Sequence, residues 1–237
     1  MEVSPGRLAV DTVDVVVDAA WMVREVSLRL EDGETLALVG GPGAGKTALL
    51  ETIAGRRQAS RGIVMLDGQA IDGLGPRARL ELGVAHAGQR PALFRGMTVK
   101  QHLELGRVAR RGPATARTLV LHLIPELADD LRLKVEKLGH ERARLLDIGR
   151  AMMSAPSVLL LDEPSPDIGA ERLGQLLTAL GDAGVAVLVA ERFPFPALRV
   201  ATRACLMISG RIVAEGPSAR IAEDDRLAAA CMGELAL

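Results

Sequence analysis

The run Gly40-Gly41-Pro42-Gly43-Ala44-Gly45-Lys46-Thr47 constrains this chain more than any other segment. It fits the spacing G-x-x-x-x-G-K-[ST]. Before it, Thr35-Leu36-Ala37-Leu38-Val39 reads as a buried strand; after it, residues 46–54 read as a helix that Gly55 ends. Glycines at this spacing let successive backbone N–H groups face phosphate oxygens without Cβ interference. The helix adds the positive end of its dipole. Lys46 is placed to reach β- and γ-phosphates, and the Thr47 hydroxyl to bind Mg²⁺. Gly40, Gly41, Pro42, Gly43, Ala44, Gly45, Lys46 and Thr47, with Ala48 in the first helical turn, form the expected phosphate site. A bare Gly-rich turn would need neither the strand nor the helix. Nor would it need one of only four lysines at the required position.

A second segment completes that chemistry. Val158-Leu159-Leu160-Leu161-Asp162-Glu163 reads as a central strand, apolar on both faces, with two carboxylates at its C-terminal end. Ligands of open α/β sheets bind at that end. Asp162 is expected to orient Mg²⁺ through water, and Glu163 to position or deprotonate an attacking water.

Strand and helix patterns order the rest of the chain. Strands are expected at 8–18, 25–31, 83–87 and 185–190, a short hairpin at 62–71, and a closing strand pair at 204–208 and 211–215. Residues 98–106, 114–124, 140–154 and 170–181 read as helices. The order sheet, helical block, sheet indicates an α/β core with a helical insertion. One domain over 1–237 is expected, with 1–88 and 155–223 as nucleotide-binding core, 89–154 as helical lobe and 224–237 as tail.

Composition removes several function classes. With 49% hydrophobic residues and a net charge of -1, the chain can bury a core and has no basic field for nucleic acid. Two cysteines make no disulfide framework and fit a reducing compartment. No apolar run approaches a spanning length, and the N-terminus lacks secretory order. A cytoplasmic location without direct membrane insertion is expected.

Further segments carry a resemblance. Leu93-Phe94-Arg95-Gly96-Met97-Thr98-Val99, Gly149 to Pro156 running into Leu159-Leu160-Leu161-Asp162-Glu163-Pro164-Ser165, and Gly210 to Pro217 resemble the ATP-binding subunits of ABC transporters over residues 8 to about 222. The wording is most similar to branched-chain amino-acid importer ATPases. The resemblance implies a P-loop NTPase core of ABC-ATPase type, with an antiparallel β subdomain and an inserted helical subdomain. It implies ATP and Mg²⁺ as cofactors, transmembrane permease subunits as partners, and a second ABC ATPase subunit in a homo- or heterodimer. It places Gln89 at the Q-loop position, touching Mg²⁺ and the permease. The implied location is peripheral, at the inner face of the cell membrane.

The sequence also departs from that family. The signature segment falls on Leu138-Gly139-His140-Glu141-Arg142, so the family's serine and two glycines are missing. Glu191 is expected at the switch-histidine position, where a carboxylate would be repelled by a γ-phosphate. The adenine-stacking residue, usually tyrosine, has no counterpart in a chain without Tyr; Val17 takes its spacing and Trp21 follows four residues later. Two rival readings accompany the transport ATPase: a regulatory ATP-binding subunit with little turnover, and a non-transport ABC protein.

Overall fold

The computed structural model describes residues 6–110, 113 and 115–232. Its elements run β1 (Leu8–Val17), β2 (Ala20–Leu30), β3 (Thr35–Val39), α1 (Lys46–Ile53), β4 (Arg61–Leu66), β5 (Gln69–Ala70), α2 (Pro76–Leu82) and β6 (Val84–Ala87). A helical stretch follows: α3 (Val99–Arg110), α4 (Ala116–Leu123), α5 (Glu126–Asp129) and α6 (His140–Met152). The chain then returns to the sheet through β7 (Val158–Asp162), α7 (Ser165–Ile168), α8 (Ala170–Asp182), β8 (Ala186–Glu191), α9 (Phe195–Leu198), β9 (Arg203–Ile208) and β10 (Arg211–Pro217). α10 (Ser218–Ala222) and α11 (Asp225–Met232) close it. The last residues of the expected tail, 233–237, lie outside the described residues, as do 1–5 and residue 114 of an expected helix.

Two sheets result. An antiparallel sheet has the order β2-β1-β4-β5. A six-stranded sheet has the order β10-β9-β3-β8-β7-β6, parallel except for the edge strand β10. β3, β7 and β8 are buried at every residue, because apolar layers cover both faces. Alternation decides the layer: Ala37 and Val39 of β3 face the core shared with α3 to α8, whereas Leu36 and Leu38 face the core shared with the antiparallel sheet. Leu49, Leu50 and Ile53 of α1 fill that second core, wedging the helix between the sheets. The phosphate-loop helix is thus fixed by burial of six of its eight residues.

β2 begins five residues before the expected 25–31, because β1 pairs with it down to Val17↔Ala20 through several register irregularities. α2 was not expected from the sequence. Pro76 at its start and Gly83, left-handed at its C-cap, are its punctuation. β8 runs one residue past the expected 185–190 and includes Glu191.

The helical lobe holds together through a close crossing of α3 and α6. A Cβ on Gly106 would lie 1.9 Å from the Arg150 carbonyl oxygen, so only glycine permits the approach. Gly106→Ala is expected to force the helices apart and cost about 1–3 kcal/mol, as overpacking does. Chemical denaturation of the purified variant checks this; a midpoint equal to the parent's would show that the crossing tolerates the methyl.

Candidate nucleotide site

β3, β8 and β7 stand side by side, and the site forms where their C-terminal ends open. After Val39 the chain turns through Gly40 to Gly45 into α1. A Cβ on Gly40 would meet the Met207 carbonyl oxygen at 2.2 Å, and one on Gly45 the Met22 carbonyl oxygen at the same distance. Gly45 also holds φ 103. Those two glycines let the loop press against β9 and the β1–β2 hairpin. Gly43 has φ 75 and no described atom within 4 Å of its Cβ position, so its side of the loop is open to a ligand.

Lys46 is 4% exposed. Its Nζ donates to the Gly40 oxygen at 2.8 Å and the Gly41 oxygen at 3.0 Å, and pairs with Glu163 Oε1 at 3.2 Å. Glu163 follows β7 in the left-handed region, φ 49, and its N–H donates to the Ala190 oxygen. Its other oxygen, Oε2, accepts from Gln89 Nε2 at 2.9 Å. Lys46, Glu163 and Gln89 therefore form one connected chain, although 74 residues separate the last two in sequence.

Asp162 is fully buried, and neither carboxylate oxygen completes a hydrogen bond with a described residue. Burial pushes its carboxyl up, while the nearby Thr47 hydroxyl and the Lys46 ammonium pull it back. A buried carboxylate with both oxygens orphaned, beside a hydroxyl and an open anion cradle, fits a hard divalent cation that takes oxygen ligands. The residues present thus suit a nucleotide phosphate with Mg²⁺.

Glu191 stands between the strands that carry the phosphate loop and Glu163. It closes β8, is 0% exposed, and its carboxylate accepts from the Ser165 N–H at 2.8 Å and the Ser165 hydroxyl at 2.7 Å. That carboxylate, at the expected switch position, lies within electrostatic reach of Glu163 and Arg144. Arg192, the next residue, is exposed, its guanidinium 5.4 Å from the Phe193 ring.

The two candidates for base stacking separate. Val17 packs against the core between the sheets, whereas Trp21 is 49% exposed with the Arg24 guanidinium 5.5 Å over its ring. Trp21 adjoins Met22, whose carbonyl touches the phosphate loop. The altered signature sits at the exposed start of α6. Gly139 caps the helix without a side-chain bond, Glu141 occupies the first turn, and Arg142 turns away to Asp130 and the Glu126 carbonyl. The sequence reading missed Arg144, a buried cation in α6. An arginine directly before Leu145, Leu146 and Ile148 was its only signal.

A parallel sheet with a phosphate loop after one strand and paired carboxylates after another defines a P-loop nucleotide-binding protein. The comparisons narrow the class. Residues 23–166 match the ABC transporter family model, and the chain belongs to the ABC transporter family, whose ATPases generally hydrolyse ATP. It is 29% identical over 231 residues to a high-affinity branched-chain amino acid transport ATP-binding protein, BraG, of Pseudomonas aeruginosa, covering 95% of this chain and 99% of that protein. A probable branched-chain amino acid transport ATP-binding protein, LivF, of Archaeoglobus fulgidus is 28% identical over 88% of this chain and 91% of its own length. Among solved structures, the ADP conformation of an ATP-binding cassette of an ABC transporter superposes with a TM-score of 0.85 at 21% identity, covering 96% of this chain and 98% of that one.

Burial pushes the Glu191 carboxyl up to about 7, the two Ser165 bonds opposing the rise. The folded value lies above the unfolded 4.5, so the native state binds the extra proton between them. The contribution of this group to stability is then fully present below pH 4.5 and is lost as pH rises through about 7. Glu191→Gln is expected to abolish this decline, which amounts to roughly 3 kcal/mol at most. Denaturation midpoints of both proteins from pH 5 to 8 test it; parallel pH profiles would assign the decline to another group.

Proposed function

We propose that this chain binds and hydrolyses ATP with Mg²⁺ to drive an ABC transporter that imports amino acids or similar small polar solutes. The observation that carries the reading is the connected chain Lys46–Glu163–Gln89 beside the orphaned Asp162 carboxylate. The relatives named as branched-chain amino acid transport ATP-binding proteins point to the solute class. Gly40 to Thr47 and Ala48 hold the phosphates, and Thr47, Asp162 and Gln89 hold the cation directly or through water. When bound, the cation supplies charge neutralisation on the phosphates. Lys46 exchanges the Gly40 and Gly41 carbonyls for phosphate oxygens. Glu163, freed from part of that ion pair, accepts the proton of the attacking water. Trp21 offers the base a π-face.

No helix among the described residues is long and apolar enough to cross a membrane, so membrane attachment comes through permease subunits at the cytoplasmic face. A cavity of about 890 Å³ between α2, β6 and the helical lobe, lined by Phe94, Leu105, Arg56 and Arg95, suits a permease segment that is apolar with acidic ends. Glu191 takes the switch position of this site, its carboxylate oriented by Ser165.

Lys46→Ala is expected to remove most nucleotide binding. Glu163→Gln is expected to retain it while lowering turnover by about 10²-fold or more. Trp21, the sole tryptophan, reports binding by fluorescence, and phosphate release reports turnover. Unchanged affinity in the first variant or parental turnover in the second would refute these roles.

The start of α6 favours pairing with a second cassette of different sequence. In a dimer of identical chains, both γ-phosphates would meet Gly139, His140 and Glu141, a surface with a carboxylate and no hydroxyl. Gly139→Ser, His140→Gly and Glu141→Gly together are expected to raise the ATPase rate of the purified chain by roughly 10²-fold, the scale of regained oxyanion donors. No rise, with dimers confirmed by light scattering, would show that this segment does not limit turnover.

A further inference from the structure

Arg144 is 0% exposed, the largest fully buried side chain among the described residues, and lies one turn inside the start of α6. Nη1 donates to the Gly88 carbonyl oxygen, and Nη2 donates to the Asp162 carbonyl oxygen at 2.6 Å. Those two carbonyls belong to the peptide links that lead into Gln89 and Glu163. The side chains of those residues are hydrogen-bonded to each other. Nε faces Asp167 Oδ2 of α7 at 3.8 Å and completes no hydrogen bond with a described residue; Asp147 Oδ2 is 3.9 Å from Nη1.

One rigid plane thus fastens two loops from different strands to a third element. A guanidinium spans two acceptors with fixed spacing, which an ammonium on a flexible stem does not. A well-packed apolar side chain of that volume would bury at less cost in desolvation. Packing therefore does not call for arginine here, whereas two inward carbonyls with a set separation do.

We infer that Arg144 is a positioning residue, which sets the spacing and orientation of Gln89 and Glu163 and ties both to the rotation of α6. The role rests on the proposed hydrolysis for its kinetic consequence, though the geometric part needs no nucleotide. Movement at the exposed start of α6, where a second cassette would press, is transmitted through this side chain to the two peptide links at once. Arg144 touches no reacting atom.

The test uses the full chain carrying Arg144→Lys, which keeps the charge opposite Asp147 and Asp167 but not the fork. In the nucleotide-free protein, hydrogen–deuterium exchange of peptides covering 86–92 and 160–166 is expected to quicken by about fivefold or more, while 46–53 and 170–182 keep parental rates. In the complex with its transporter, kcat is expected to fall about tenfold or more, with KM for ATP within about twofold. Arg144→Met, similar in length but without donors, is expected to show the same pattern more strongly. If it fails to fold, the lysine variant decides alone. Parental exchange in both segments overturns the inference, as do acceleration spread evenly over the chain and local acceleration with parental kcat. A parental complex without turnover would refute the proposed hydrolysis instead, and the exchange result would still decide whether Arg144 orders the two loops.

Discussion

An ammonium group buried to within a few per cent of completeness holds this molecule's site together. Lys46 would be costly to desolvate alone, and it is retained because two loop carbonyls and one carboxylate surround it. The carbonyls come from the loop after β3 and the carboxylate from the residue after β7. β8 stands between those strands, so lysine and glutamate side chains together bridge two strand spacings, roughly 10 Å. Only long side chains reach, and only if the end of β8 leaves the gap clear. Glu191 does so by turning inward onto Ser165, while its carbonyl accepts from the Gly40 N–H at 3.3 Å. The same residue clears the bridge and anchors the loop that forms one end of it.

That arrangement explains why the site depends on strand order rather than on any single motif. The sheet order β3-β8-β7-β6 sends three loops to one edge: the phosphate loop, Glu163 and Gln89. Their side chains meet because adjacent parallel strands end level, as the pairs Val39↔Glu191 and Asp162↔Ala190 show. The antiparallel sheet contributes from the side. Its hairpin presses the Met22 carbonyl against Gly45 and leaves Trp21 facing outward beside the cradle.

Much of this was legible in the sequence, and the illegible parts share a cause. Buried strands such as Val158–Asp162 announce themselves by unbroken apolar runs, and the glycine spacing at 40–45 has few other uses. The end of β8 was not legible, because a charged residue after an apolar run reads as a loop. Its ladder partner Val39 lies 152 positions away in the chain, and local pattern carries no record of it. α2 escaped because its only buried residue is Arg79, whose guanidinium donates to the Leu74, Thr52 and Ile53 carbonyls. Arg144 escaped for the same reason. Periodicity detects burial of apolar residues and misreads a charge satisfied by backbone carbonyls as a solvated face.

α6 brings these threads to a point, since its two ends differ in kind. The interior residues Arg144 and Asp147 are buried, and Arg144 is tied to the loops that carry Gln89 and Glu163. The exposed start carries Gly139, His140 and Glu141 in place of the donors an anion would require. A chain whose whole site had decayed would be expected to lose the costly buried cations first, because each stays bound only while its carbonyl acceptors hold position. Here the Lys46 ammonium and both terminal nitrogens of Arg144 are engaged, and the altered signature, though not the changes at Glu191 and the base-stacking position, lies on the surface that would face another subunit's nucleotide. The chemistry proposed for this chain's own site and the chemistry it would lend to a partner are therefore separable. Physical pressure to keep the first does not require the second, provided the partner supplies the missing donors.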